Sequence, residues 1–371
     1  MSRTVLVLAL LAASTLPAFA DGDQVYWGAH IPGTPADPTL IDAFEARAGS
    51  RAALVQWGEP WFHEGAYLPF QTSYFQAVRD RGSIPVLDWG SWDHCCPESQ
   101  PKFQLSTIVD GAHDAFISRW ANAAAAWGHP FFLRFDPEMN GWWRPWNEQV
   151  NGNHPGEFVA AWRHVVDIFR AQGATNVTWV WCPNIVGPRS TPMSELYPGD
   201  EYVDWACMDG YNWGTDRNNE WQTFSQVFAG SAYNGGFNTY QLLQDTAPGK
   251  PIMIGETASA ENGGSKAAWI TDMLAAQLPA SFPLVRALIW FDWDEGDPLL
   301  HWQIASSPEA RQAFRDGISS PYYAGNAFAA LGSGAIAASG PVLPLSAASV
   351  SAPVMLPSPD EQPVPQDAEY P

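Results

Sequence analysis

FFLRFDPEMNGWWRPW, residues 131–146, opens with a short run from Phe131 to Phe135 that reads as a buried strand, passes through Asp136-Pro137 to Glu138, and continues into an aromatic loop. KPIMIGETASAENGG, residues 250–264, has the same build: Pro251-Ile252-Met253-Ile254 reads as a buried strand, Gly255 allows close backbone approach, and Glu256 emerges at the strand's end. Working outward from these two, comparable runs recur at Val25–His30, Ala53–Trp57, Ile84–Trp89, Val177–Cys182, Val203–Tyr211 and Arg286–Phe291. Segments of helical periodicity separate them, among them Gly111–Trp127, Ser265–Leu278 and Gly156–Gln172, the last with Phe158, Trp162, Val165, Val166 and Phe169 on one face. Strands alternating with helices in a single block of composition predict an α/β chain folded as one (β/α)8 TIM barrel, whose working groups sit at the C-terminal ends of the strands.

The chain has 371 residues, which suits one such barrel with its loops. Residues 1–20, MSRTVLVLALLAASTLPAFA, combine Arg3, an apolar run from Val5 to Ala13 and a small-residue exit at Ala18-Phe19-Ala20. That layout predicts a secretory signal peptide cleaved before Asp21, because the apolar run is well short of the roughly 20 residues that span a bilayer. The expected destination is secreted or periplasmic, with no membrane span. Residues 21–331 are expected to form the catalytic barrel. Residues 332–371 are rich in Gly, Ala, Ser and Pro and hold few large apolar side chains to offset ordering entropy, so they are expected to be a disordered tail, or a linker.

A formal net charge of −21 argues against nucleic acid, anionic membranes and polyanionic glycans as partners, and in favour of a neutral one. Twenty Trp stand against 18 Lys plus Arg and cluster near carboxylates, as stacking platforms for sugar rings would. Any one of them could equally fill the core. Cys95, Cys96, Cys182 and Cys207 match no metal-ligand spacing and read as structural cysteines of an exported chain, pairing open. No cofactor and no metal site are expected. Oligomeric state is open.

Hydrolysis of a glycosidic bond with retention needs one carboxyl to protonate the leaving oxygen and a second, about 5–5.5 Å away, to attack the anomeric carbon. Glu138 suits the first role, since Trp142, Trp143 and Trp146 beside it would partly desolvate it and favour its protonated form. Glu256 suits the second, held ionised by hydrogen bonds from Tyr211 or Arg134. In YVDWACMDGYNW, residues 202–213, Asp209 reads as a pin for loop backbone, with Tyr211 and Trp213 towards the site. The last strand, ALIWFDWDEGD, is expected to bring Trp290 beneath the sugar at the cleavage point, with Asp292, Asp294 and Glu295 forming a solvated acidic loop. Trp57, Trp61, Trp89 and Trp92 read as subsite platforms or packing aromatics.

These segments together resemble glycoside hydrolase family 26. The matching pieces are Arg134 with Glu138-Met139-Asn140-Gly141, Trp143 and Pro145-Trp146; Asp209-Gly210-Tyr211-Asn212-Trp213; Pro251-Ile252-Met253-Ile254 with Glu256; and Ile289-Trp290-Phe291. The resemblance implies a retaining (β/α)8 enzyme with the strand-four Glu138 as acid/base, the strand-seven Glu256 as nucleophile, Tyr211 hydrogen-bonded to that nucleophile, and Trp143 and Trp290 lining the central subsites. The family commonly carries His immediately before the acid/base, and this chain has Pro137. The expected activity is that of an endo-β-glycanase on a neutral β-linked polysaccharide, β-1,4-mannan first, with β-1,3-xylan or β-glucan close behind. The rival readings are a carbohydrate-binding barrel without catalysis and an envelope-associated structural protein tethered by its Pro-rich end.

Overall fold

A computed structural model describes residues 24–95, 99–215, 219–293, 300–328, 331 and 334–338. The expected signal peptide, Cys96, Asp294, Glu295 and most of the expected tail lie outside the described residues.

The barrel is built from β1 Val25–His30, β2 Leu54–His63, β3 Ile84–Asp93, β4 Phe131–Phe135, β5 Val177–Trp181, β6 Trp205–Asp209, β7 Ile252–Thr257 and β8 Val285–Phe291. Successive strands pair in parallel. The ring closes through β1, which pairs with β2 at Gly28 and Leu54 and with β8 at Tyr26 and Ala287. Gly28 is needed at that seam: a Cβ there would lie 2.0 Å from the Leu54 carbonyl oxygen. The expected strands all appear in the expected order. β2 and β3 run beyond the expected Trp57 and Trp89 because they keep pairing, Glu59 with Trp89 and Phe62 with Asp93, and a two-residue strand, Ala66–Tyr67, folds back antiparallel on the end of β2.

Strands buried on both faces need apolar residues at consecutive positions, and β4, β5 and β6 are buried throughout. Outward residues such as Phe131, Leu133 and Phe135 meet the helices, while Tyr26, Leu54, Ile84, Val86, Phe132, Val180, Trp205, Met253, Ala287 and Ile289 fill the lumen. Helix Glu157–Ala171 shows why the covering layer stays in place: Phe158, Ala161, Trp162, Val165, Val166 and Phe169 recur at helical spacing and are all buried. Each large side chain so buried contributes about 1.5–3 kcal/mol. The expected helix Ser265–Leu278 is instead α-helical at Lys266–Thr271, opens into a π-turn at Asp272–Gln277, and resumes at Leu278–Ser281.

Residues 334–338, which fall within the expected tail, are packed on the barrel. Ile336 is buried among the lumen residues, its N–H donating to Thr178 Oγ1 at 2.7 Å and its carbonyl accepting from Trp205 Nε1 at 2.7 Å. The segment thus closes the barrel at the N-terminal ends of β5 and β6. One apolar side chain and two satisfied backbone groups offset its ordering cost where a count of large residues sees little to hold it. Among the described residues, no helix is long and apolar enough to cross a membrane.

Candidate active site

Strand residues two apart face the same way, so the apolar lumen layer dictates what lies above it. Continuing inward from Tyr26, Leu54, Val86, Phe132 and Cys207 leads to His30, Gln56, Asp88, Arg134 and Asp209, a polar layer at the C-terminal mouth. At its centre Arg134 is fully buried. Its Nη1 lies 3.0 Å from Asp88 Oδ1 and 3.2 Å from Glu256 Oε1, while Nη2 pairs with Asp209. One guanidinium therefore ties β4 to β3, β6 and β7, with a geometry that a lysine ammonium could not reproduce. Gly255 makes room for it, since a Cβ there would lie 2.9 Å from Arg134 Cζ and 2.5 Å from Cys207 Sγ. The register of β7 shifts against β8 between Ile254 and Thr257, which lifts Glu256 towards the mouth.

Glu256 also accepts from the Tyr211 hydroxyl at 2.5 Å. Burial on its own would raise this carboxyl, but the Arg134 charge, then nearby His30 and the Tyr211 donor, outweigh it and hold the group below the usual carboxylate range. Asp88 goes the other way, pushed up to about 7 by burial that Arg134 only partly opposes, with the Glu256 charge adding to the rise. Of two carboxyls sharing one cation, Glu256 therefore keeps the negative charge. Burial pushes His30 down to about 4 against the pull of Glu256, so its imidazole is neutral at the cleft edge.

Glu138 is reached by an unusual path. Asp136 and Glu138 both have left-handed backbone, φ 44° and 59°, on either side of Pro137. The turn is held by Glu138 N–H on the Cys182 carbonyl at 2.7 Å and by the Asp136 carboxyl, which accepts from Ser91 N–H and Oγ at 2.6 and 2.7 Å. Burial, opposed by those two donors, pushes Asp136 up to about 8. The Glu138 carboxyl is fully buried and accepts from Asn184 Nδ2 at 2.6 Å, Trp143 Nε1 at 3.1 Å, and Arg144 Nε and Nη2 at 2.9 and 2.6 Å. Its surroundings are thus a ring of donors, in contrast to the apolar aromatic pocket expected from Trp142, Trp143 and Trp146. Trp142 is 41% exposed, with the Arg189 guanidinium 4.9 Å from its ring. Asn140 explains its own place in the motif: its side chain and the Asn184 backbone exchange hydrogen bonds of 2.8 Å, locking the loop that presents Asn184.

A cleft of about 330 Å³ opens over Glu256, lined by His30, Trp57, Glu59, Asp88, Trp92, Arg144, Trp146, Phe291 and Trp293 among others. Of the expected residues, Arg134 and Tyr211 make their contacts to Glu256, Trp143 touches Glu138, and Trp146 lines the cleft with its Nε1 on the Pro137 carbonyl at 2.8 Å. Trp213 packs 5.1 Å from Trp302, beside Tyr211, outside the cleft lining. Trp290 is turned away from the sugar position expected for it. It follows the lumen residue Ile289, so strand alternation points it outward, where it is fully buried against Trp269 and Phe314 with Nε1 on the Trp302 carbonyl at 2.8 Å. Phe291 and Trp293 take the cleft instead. Trp61 and Trp89 are packing aromatics, 4.9 Å apart and buried, whereas Trp57 and Trp92 reach the cleft.

Two acidic expectations change as well. Asp209 pairs with Arg134 in the lumen, and Asp292 is buried, accepting from Ile304 N–H at 2.7 Å and Arg47 at 2.8 Å. Cys182, the residue after β5, and Cys207 on β6 form a disulfide with Cα atoms 4.2 Å apart. Among the described residues, the metal-ligand types that gather are these two cysteines with Asp209, and their sulfurs are bonded to each other. Sequence reasoning passed over His30, Glu59, Asp88, Arg144 and Asn184. Of these, Asp88 is the direct cross-strand partner of Arg134 and continues the inward alternation from Val86, a signal the sequence carries, whereas Glu59 falls out of phase with the inward Gln56. Asn184 becomes visible only through Asn140.

A (β/α)8 barrel with two buried glutamates at the C-terminal mouth, one beside a guanidinium and a tyrosine hydroxyl and the other ringed by donors, defines the class of barrel glycoside hydrolases. The chain belongs to glycosyl hydrolase family 26, whose family model matches residues 96–249. It is 36% identical to Endoglucanase H of Acetivibrio thermocellus over 84% of this chain and 32% of that protein. It is 29% identical to Beta-1,3-xylanase TXYA of a Vibrio species over 32% of this chain and 25% of that protein. The chain therefore spans about a third or less of the length of these curated relatives. An endo-beta-1,4-mannanase double mutant from Cellulomonas fimi is similar in fold, with TM-score 0.61 and 19% identity over 86% of this chain and 77% of the other.

Proposed function

We propose that this chain is a retaining endo-β-glycanase in which Glu256 is the nucleophile and Glu138 the general acid/base. The observation that carries the reading is Glu256 itself: a carboxylate kept charged by Arg134 and oriented by Tyr211 at the floor of a cleft, with Glu138 three strands away round the ring. In the first step Glu256 attacks the anomeric carbon as Glu138 gives its proton to the glycosidic oxygen, producing a glycosyl ester and a free chain end. In the second, Glu138 takes a proton from water, which attacks the same carbon and releases Glu256. Arg144 and Asn184, which address Glu138 in the free enzyme, would yield part of that position to the glycosidic oxygen.

For the substrate we propose a neutral β-glucan ahead of β-1,4-mannan and β-1,3-xylan. Identity to an endoglucanase over 84% of this chain supports that order, as does Pro137 where family members commonly place His. Likeness to mannanase structures at 19% identity is likeness of fold. We also propose export through residues 1–20 as a signal peptide.

The test is release of reducing ends from barley β-glucan, carboxymethylcellulose, β-mannan and β-1,3-xylan by the wild type and by Glu256→Ala. Cleavage of a glucan by the wild type and none by the variant supports the reading. Cleavage of mannan or xylan alone keeps the mechanism and changes the substrate, and no cleavage of any polymer overturns the reading.

A further inference from the structure

The seam between β5 and β6 is the shortest ladder of the ring. Among the described residues it has two paired positions, Val180 with Trp205 and Trp181 with Ala206, where every other seam has three or more. The next pair along it is Cys182 beside Cys207, and the Pro183 that follows has no N–H to donate across the gap. The Cys182–Cys207 bond therefore stands where a third rung would, with both residues fully buried in the lumen. Hydrogen bonds between the strands' continuations resume beyond it, from Asp209 N–H to the Pro183 carbonyl at 3.1 Å and from Ile185 N–H to the Asp209 carbonyl at 2.8 Å.

This one cross-link touches the supports of both glutamates. On one side, the Cys182 carbonyl accepts from Glu138 N–H and holds its left-handed backbone, while Asn184, two residues on, donates to the Glu138 carboxyl at 2.6 Å. On the other side, Cys182 Sγ lies 3.3 Å from Arg134 Nη2, and Nη1 of the same guanidinium lies 3.2 Å from Glu256 Oε1. Cys207 Sγ packs on the backbone of Gly255, the residue before Glu256, where a Cβ would lie 2.5 Å from the sulfur. Bonded sulfurs carry no charge, so they seat the guanidinium without competing with Glu256 for it. A cross-link that served only to restrict the unfolded chain would work as well at any seam of the barrel.

We propose that the Cys182–Cys207 disulfide is a positioning element of the reaction, a covalent rung that fixes the main chain beneath Glu138 and the guanidinium beside Glu256 as one unit and so sets the placement of the two carboxyls relative to each other. The assignment rests on the glycanase reading above and adds to it two residues that touch no substrate. Without the bond, the shortest seam loses its third rung and Arg134 loses the surface that seats its Nη2 end. Such a loss is felt in turnover, because a misplacement of about 1 Å can cost about 100-fold in rate.

The experiment compares the wild type with Cys182→Ala/Cys207→Ala and with Cys182→Val/Cys207→Ala, which refills part of the sulfur volume without restoring the bond, all in the full chain. Peptide mapping without reductant reads the bond in the wild type. Kinetics are measured, well below each protein's melting temperature, on the polysaccharide that the wild type cleaves and on the dinitrophenyl β-glycoside of its disaccharide. The expected result is a kcat lower by about 10- to 100-fold in both variants, with KM within about twofold of the wild type, and a similar loss on the dinitrophenyl glycoside, because the nucleophile's support is disturbed together with that of the acid/base. A loss on polysaccharide that vanishes on the dinitrophenyl glycoside confines the effect to Glu138 and overturns the joint role. Variants that melt earlier but keep the wild-type kcat show a stabilising cross-link and overturn the proposal, as do free thiols at Cys182 and Cys207 in an active wild type. A wild type that cleaves none of the polymers overturns the glycanase reading and this assignment with it.

Discussion

Replacing Asp136 by Asn tests the electrostatics of the turn that carries Glu138. Asp136 is fully buried, and its two carboxyl oxygens accept from Ser91 N–H and Oγ at 2.6 and 2.7 Å. Burial lifts it from 3.8 to about 8 in the folded chain. A carboxyl raised on folding stabilises the fold while it keeps a proton the unfolded chain has released, so this contribution is complete below about pH 4 and is lost as pH rises through about 8. At about 1.36 kcal/mol per pH unit, the span from 3.8 to about 8 sets a ceiling of roughly 6 kcal/mol. Local relaxation and entering water commonly remove most of such a penalty, which leaves about 2 kcal/mol. Asparagine has the same shape, offers Ser91 N–H a carbonyl oxygen, and never charges. Asp136→Asn should therefore melt with the wild type near pH 3.5, draw ahead of it as pH rises above about 4, and stand about 4–8 °C above it at pH 9, taking roughly 2–4 °C per kcal/mol. Calorimetric melts from about pH 3.5 to about pH 9 read this directly. A difference between the two proteins that stays constant across the range would refute the reasoning.

Tyr211→Phe keeps the packing against Trp302 but deletes the 2.5 Å donor to Glu256; a charge-assisted hydrogen bond of about 1.5–3 kcal/mol predicts a kcat/KM lower by roughly 10- to 100-fold in steady-state assays. Arg134→Met leaves Asp88, Asp209 and Glu256 without their shared cation, and chemical denaturation should register a loss of about 3–5 kcal/mol that narrows at low pH as the carboxyls take up protons. Trp290→Ala should cost about 3–5 kcal/mol of stability, whereas Trp293→Ala should raise KM with little change in melting; the opposite pattern would restore Trp290 to the sugar site. Glu138→Ala should lower kcat on polysaccharide by about 10²–10⁴-fold and much less on a dinitrophenyl glycoside, whose leaving group needs no proton.

The strand positions, the helix faces and the segments bearing Glu138 and Glu256 were legible because each depends on a short period of the chain. Two-residue alternation and buried runs mark β4 and β7, and 3.6-residue spacing marks Glu157–Ala171. The misreading of Trp290 came from applying strand-end proximity without the alternation that turns it outward from Ile289. Asp292 was misread because its partners, Arg47 and Ile304, lie far along the chain or across a loop.

By itself, then, the sequence determined the barrel, the order of its strands and the two glutamates at its mouth, since local periodicity and a strand running into a polar turn are properties of neighbouring residues. Only the tertiary structure decided the electrostatics of those glutamates. Arg134 meets Asp88, Asp209 and Glu256 across four strands, Asn184 reaches Glu138 from the next strand's loop, and Glu59 is left with an unpaired oxygen in the cleft. Such pairings depend on which side chains closure of the ring brings within hydrogen-bond distance, and charge and burial act through space rather than along the chain.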